Sequence, residues 1–136
     1  MLRGVKFLGI DYGSKRVGIA VSDEEGKLAF PKTTLSNPAH LTHDIAALCV
    51  KEGVGAIVLG ESRTLAGGEN PITAEIEKFK NELERKISLP VYYEPEFFTS
   101  IEAERIQGKQ ESLDASAAAL ILRSFLDRKN RNGNPR

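Results

Sequence analysis

The chain has 136 residues, 40% apolar and 28% charged, with 19 basic and 19 acidic side chains and a formal net charge of zero. That length supports one ordinary domain with a real core. No stretch approaches the roughly 18 apolar residues of a membrane span, and a single cysteine, Cys49, excludes an internal disulfide framework and suits a reducing cytoplasm.

In chain order, Met1-Leu2-Arg3-Gly4 leads straight into an apolar strand over about 5–11, an expectation of no signal peptide. Gly13, Ser14 and Lys15 supply a turn into a second strand over 16–22. Asp23-Glu24-Glu25-Gly26 turns the chain again, into a third strand over about 27–35. Two short turns in succession predict an antiparallel meander. The apolar period then becomes helical. Asn37-Pro38 reads as a cap with proline in the first turn, and Leu41, Ile45, Leu48 and Cys49 share one face as far as Gly53. Cys49 therefore reads as a core residue. His40 and His43 lie three apart with no supporting acid or cysteine motif, and read as a surface pair.

Val54 to Leu59 suits a buried parallel strand, and residues 60–69 a loop. Asn70-Pro71 opens a helix with Ile72, Ile76, Phe79 and Leu83 in one stripe. Residues 90–93 form a fifth strand, and Thr99 to Glu102 has the spacing of a capping box for a further helix. After a break at 108–112, a last helix runs from about Leu113 to Arg128 with an alanine-rich first half. Residues 130–136, rich in Arg and Asn, are expected to form a flexible basic tail on a single domain spanning 1–129. A meander followed by strand–helix–strand units describes an α/β fold, a mixed sheet covered by helices.

The strongest chemical signal is Asp11, a carboxylate closing an apolar strand. Such a group is costly to bury without a cation, a donor or a proton. Gly9, Gly13 and Gly18 keep side chains away from it, which suits close approach of a phosphate or hydrated metal. Two further acids fall where they can join it. Glu96 follows the fifth strand, with Glu94 as the alternative, and Asp114 sits in the first turn of the last helix. Ligands of parallel strands bind beyond their carboxyl ends. Three carboxylates meeting there repel one another unless divalent cations join them, and Mg²⁺ keeps waters for a phosphate substrate.

The run Leu8-Gly9-Ile10-Asp11-Tyr12-Gly13-Ser14-Lys15-Arg16-Val17-Gly18-Ile19-Ala20-Val21-Ser22-Asp23 resembles the opening motif of the YqgF family, also called RuvX. The resemblance continues in Ile57-Val58-Leu59-Gly60, in Thr99-Ser100-Ile101-Glu102-Ala103 and in Leu113 to Leu122, so it covers essentially the whole chain. It implies a ribonuclease-H-like fold with a five-stranded sheet in the order 3-2-1-4-5, strand 2 antiparallel. It also implies a metal-dependent nuclease of the bacterial cytoplasm, linked to 5′-end maturation of 16S ribosomal RNA and to Holliday junction resolution. The implied metal ligands and catalytic acids are Asp11, Glu96 and Asp114, holding Mg²⁺ or Mn²⁺, two ions in all. Lys15, Arg16 and Arg63 are the candidate contacts to nucleic acid, either a structured rRNA precursor or branched DNA. Monomer and homodimer both remain open.

The chain departs from the family pattern after the fifth strand. Where the family has Asp-Glu-Arg, this sequence has Pro95-Glu96-Phe97, which removes a phosphate contact that Arg63 stands in position to replace. A module of the same fold that binds nucleic acid without turnover is therefore a competing expectation. The Asp11-Tyr12-Gly13 hairpin also resembles the first phosphate loop of actin-like ATPases, but those need two such lobes and this chain has room for one.

Overall fold

The computed structural model describes residues 5–37, 40–63, 71–97 and 111–132. Strand β1 spans Phe7–Asp11, β2 Arg16–Ser22, β3 Ala29–Ser36, β4 Ala56–Arg63 and β5 Val91–Phe97. Helix α1 spans Leu41–Glu52, α2 Pro71–Lys86 and α3 Glu111–Asn132. The expected helix after Thr99 and most of the loop after Gly60 lie outside the described residues.

The strands form one sheet in the order β3-β2-β1-β4-β5. The meander β1-β2-β3 is antiparallel, and β1, β4 and β5 are mutually parallel. This is the expected ribonuclease-H-like sheet, strand 2 running against its neighbours. The central strand is buried on both faces, so its residues alternate between two cores. Leu8 and Ile10 join Ile19, Ile57, Leu59, Ile45, Phe79 and Leu83 beneath α1 and α2. Phe7 joins Ala20, Ala56 and Val58 beneath Ala118, Leu122, Phe125 and Leu126 of α3.

Helix α3 lies very close to the sheet because the strands beneath it carry glycine. A Cβ on Gly9 would fall 2.8 Å from Leu122 Cβ, and one on Gly18 would collide with the carbonyl of Asp114. The open space expected around these two glycines is therefore filled by helix, since an alanine-rich helix gains more dispersion and burial by descending onto a bare backbone than solvent would.

Several boundaries differ from expectation. Asn37 does not cap α1, whose N-cap is His40 without a side-chain cap bond. Asn37 instead donates its Nδ2 to Gly13 O at 2.8 Å and its backbone N–H to Lys15 O at 3.0 Å, stitching the end of β3 to the turn after Asp11. Gly53 does end α1, in the left-handed conformation with φ 68°. Strands β4 and β5 run on together to Arg63 and Phe97, because continued parallel pairing satisfies their backbone groups. Glu94 and Glu96 thus lie within β5 and not after it. Helix α3 reaches Asn132, three residues into the segment expected as tail.

Gly18→Ala tests the close approach. The added methyl must push the start of α3 off the sheet, with an expected loss of about 1–3 kcal/mol in unfolding free energy. Denaturant unfolding equal to wild type would contradict it.

Candidate active site

Three parallel strands end along one edge of the sheet, at Asp11, Arg63 and Phe97. Asp11 is half-buried, on the α3 face, opposite Gly18 of β2. Because Gly18 has no side chain, the backbone of Asp114 packs against it, and the first turn of α3 is delivered to the flank of Asp11. Two of the three expected acids, 103 positions apart in the chain, are thereby neighbours. Burial pushes the Asp11 carboxyl up from its ordinary 3.8 to about 7, and the charge of Asp114 adds to the rise. Asp114 itself is held by Arg16, whose Nε donates to Oδ2 at 2.6 Å.

The turn carrying Asp11 out of β1 is fixed from both sides. Asn37 grips it from β3 as described. From α2, Glu75 Oε1 accepts bonds of 3.3 Å from Tyr12 Oη and from Ser14 Oγ, and the Tyr12 ring rests on Phe79 with centroids 4.9 Å apart. Neither Asn37 nor Glu75 was identified from the sequence. Asn37 carries a sequence signal that suits a cap equally well, whereas Glu75 is one acid among many on a charged helix face.

The third acid has two candidates. Glu94 pairs in register with Gly60, and Gly60, like Asp11, is one residue beyond the Ile10–Leu59 pair. Glu94 therefore sits level with Asp11, two strands away. Its carboxylate is only 4% exposed and already engaged, accepting from Ser124 Oγ at 2.9 Å and pairing with Arg128 Nη2 at 2.7 Å. Arg128 also lies over the Phe125 ring. Glu94 is thus a tie between β5 and the second half of α3. Glu96 stands opposite Ser62, two residues further along β5, and its side chain lies outside the described residues, as does that of Arg63. Lys15 is exposed on the turn.

The remaining sequence expectations fall away from this edge. Cys49 is buried, which raises its thiol to about 11, in keeping with a core residue. His40 and His43 line a cavity of about 500 Å³ between α1 and α2, across the sheet from Asp11. Tyr92 stacks on Phe125 at 5.7 Å as part of the α3 core. Among the described residues no helix is long and apolar enough to cross a membrane.

Residues 5–128 match the family described as RuvX, Holliday junction resolvase. The chain belongs to the RuvX family. A relative from Nitratidesulfovibrio vulgaris (strain DP4), named "Putative pre-16S rRNA nuclease", is 38% identical over 135 residues, covering 90% of this chain and 93% of the relative. One of the same name from Chloroflexus aggregans is 35% identical over 132 residues, covering 88% and 92%. The RuvC structure of Thermus thermophilus superposes with a TM-score of 0.61 at 16% identity, covering 94% of this chain and 96% of that one. The fowlpox virus Holliday junction resolvase gives 0.58 at 12% identity, covering 90% and 99%. With the sheet order of this chain, these likenesses show a ribonuclease-H-like fold.

The raised Asp11 carboxyl has a consequence for stability. The folded protein holds this proton more tightly than the unfolded chain does. Its contribution is complete below about pH 4 and is lost as pH rises towards about 7. In the presence of chelator, Asp11→Asn should gain on wild type by a few kcal/mol across that interval. Unfolding free energies measured from pH 4 to 8 that run parallel for the two proteins would refute the assignment.

Proposed function

We propose that the protein is a metal-dependent nuclease that hydrolyses phosphodiester bonds, acting in the cytoplasm on the 5′ end of a 16S rRNA precursor. The observation that carries this reading is the meeting of Asp11 and Asp114 at the carboxyl edge of the parallel strands, with Arg16 paired to Asp114. Their donor set consists of oxygens alone, which suits a hard divalent cation. Asp11, Asp114 and Glu96 would hold Mg²⁺ or Mn²⁺, most naturally two ions. When bound, such ions activate a water and stabilise the leaving oxygen of a phosphodiester.

The chain's own residues do the rest. Asp11, central in the sheet and fixed by the clamped turn, would help hold the ions. Asp114 would close the site from α3. The reading is supported by the backbone register of β5, which puts position 96 two residues beyond the level of Asp11, with Cα atoms roughly 12 Å apart by strand spacing and rise. That separation suits two carboxylates reaching towards a pair of ions. Glu94 is nearer, but Ser124 and Arg128 already take up its oxygens. Lys15 on the turn and Arg63 at the end of β4 would steer and hold the phosphate backbone.

The names of the relatives favour the rRNA substrate, and the family description favours a four-way junction. A junction resolvase must match its substrate with a twofold dimer, whereas a trimming enzyme need not. Both labelled substrates should therefore be offered with Mn²⁺ or Mg²⁺, alongside a solution mass measurement. Cleavage of the 5′-extended precursor is expected, and Asp11→Asn should reduce it at least about a hundredfold. Binding of either nucleic acid without metal-dependent cleavage would instead identify a module that has lost turnover.

The same assay separates the two glutamates. Glu96→Gln should abolish cleavage with little change in unfolding free energy. Glu94→Gln should destabilise the protein by about 1–3 kcal/mol, by weakening the tie to Arg128. The opposite pattern would transfer the role to Glu94.

A further inference from the structure

The Arg16 guanidinium occupies an oxygen that the proposed site needs. Its Nε lies 2.6 Å from Asp114 Oδ2, and the side chains are 34% and 16% exposed, so the pair is half-sheltered at the rim of the site. Arg16 opens β2, two residues before Gly18, which faces Asp11 across the ladder. Its backbone is held in register opposite Ser36, and the preceding turn is clamped by Asn37 and Glu75. Asp114 is equally fixed, since its own backbone rests on Gly18. The movable part of this arrangement is the Arg16 side chain.

A guanidinium and a divalent cation at Oδ2 compete for its lone pairs and repel each other. An arginine turned away from Asp114 keeps its full charge and its planar fork of donors, beside the place where a scissile phosphate would lie. We propose that Arg16 exchanges partners, neutralising Asp114 while the site is empty of cations and contacting the substrate phosphate once they are loaded. The inference rests on the metal-dependent reading above.

The exchange makes two forms of binding support each other. Metal entry releases Arg16 for the phosphate, and phosphate capture removes Arg16 as a competitor for Asp114. By linkage the same factor must appear in both directions. Arg16 also offsets the charge of Asp114 while the site is unloaded, which eases the placing of that acid beside Asp11.

Titration calorimetry with Mn²⁺ alone tests the first half, comparing wild type with Arg16→Gln. Removal of the competitor should tighten Mn²⁺ binding about threefold to tenfold, the scale of a half-sheltered ion pair. Fluorescence anisotropy with a phosphorothioate oligonucleotide, with and without Ca²⁺, tests the second. The variant should bind it more weakly and gain less from Ca²⁺ than wild type does. Arg16→Lys, which keeps the charge but not the fork, should fall between the two, and circular dichroism checks that each variant is folded. Mn²⁺ affinity equal to or weaker than wild type in Arg16→Gln would overturn the exchange while leaving the nuclease reading intact. No Mn²⁺ binding by wild type would overturn both. Should Arg16→Gln prove unfolded, an unchanged Mn²⁺ affinity in folded Arg16→Lys would still overturn the exchange.

Discussion

The contact on which the candidate site depends is the seating of α3 on two glycines. Gly9 accepts Leu122 and Gly18 accepts the backbone of Asp114. Any side chain at either position would lift the helix, and Asp114 would leave the flank of Asp11. The acids are therefore brought together by packing and not by any attraction of their own, which is repulsive. The apolar contacts of Ala118, Leu122, Phe125 and Leu126 supply the driving force. The acids accept the resulting cost, as the high Asp11 pKa and the recruitment of Arg16 both record.

Most of the architecture was legible in the residues. Alternation and glycine turns marked the meander, and the change from a two-residue to a helical period marked where the crossovers begin. Asp11 stood out because a carboxylate in an apolar run violates local consistency, and such violations gather at working sites. The reach of the sheet was harder to read. Glu94-Pro95-Glu96 has neither the β-branched run nor the apolar alternation of a strand, yet parallel pairing with Gly60, Glu61 and Ser62 carries it on as one. Tertiary hydrogen bonding decided that boundary, and no local pattern announces it.

The glycines show a different limit. Sequence marks where side chains are missing, but not what occupies the gap. The space near Asp11 suited a phosphate as well as a helix, and only the fold chose the helix for Gly9 and Gly18. Asn37 is similar. Its side chain has the right chemistry for a cap and for a turn clamp, and its position beside Gly13 settled the matter. The two glutamates of β5 illustrate the point once more. They are alike in type and two residues apart on one strand, and nothing in the sequence announces that Glu94 is tied to Ser124 and Arg128.

Helix α3 behaves as a beam with a fulcrum. Leu122 bears on Gly9, Asp114 lies eight residues to one side, roughly 12 Å along the axis, and Arg128 six residues to the other, roughly 9 Å. The Arg128–Glu94 tie anchors the short arm to the edge strand. A rocking of only about 5° there swings the long arm by about 1 Å, a displacement that can cost about a hundredfold in a positioned reaction. The carboxylate at the start of the helix thus has two supports, the Gly18 backbone beneath it and, remote from any chemistry, the Arg128–Glu94 tie.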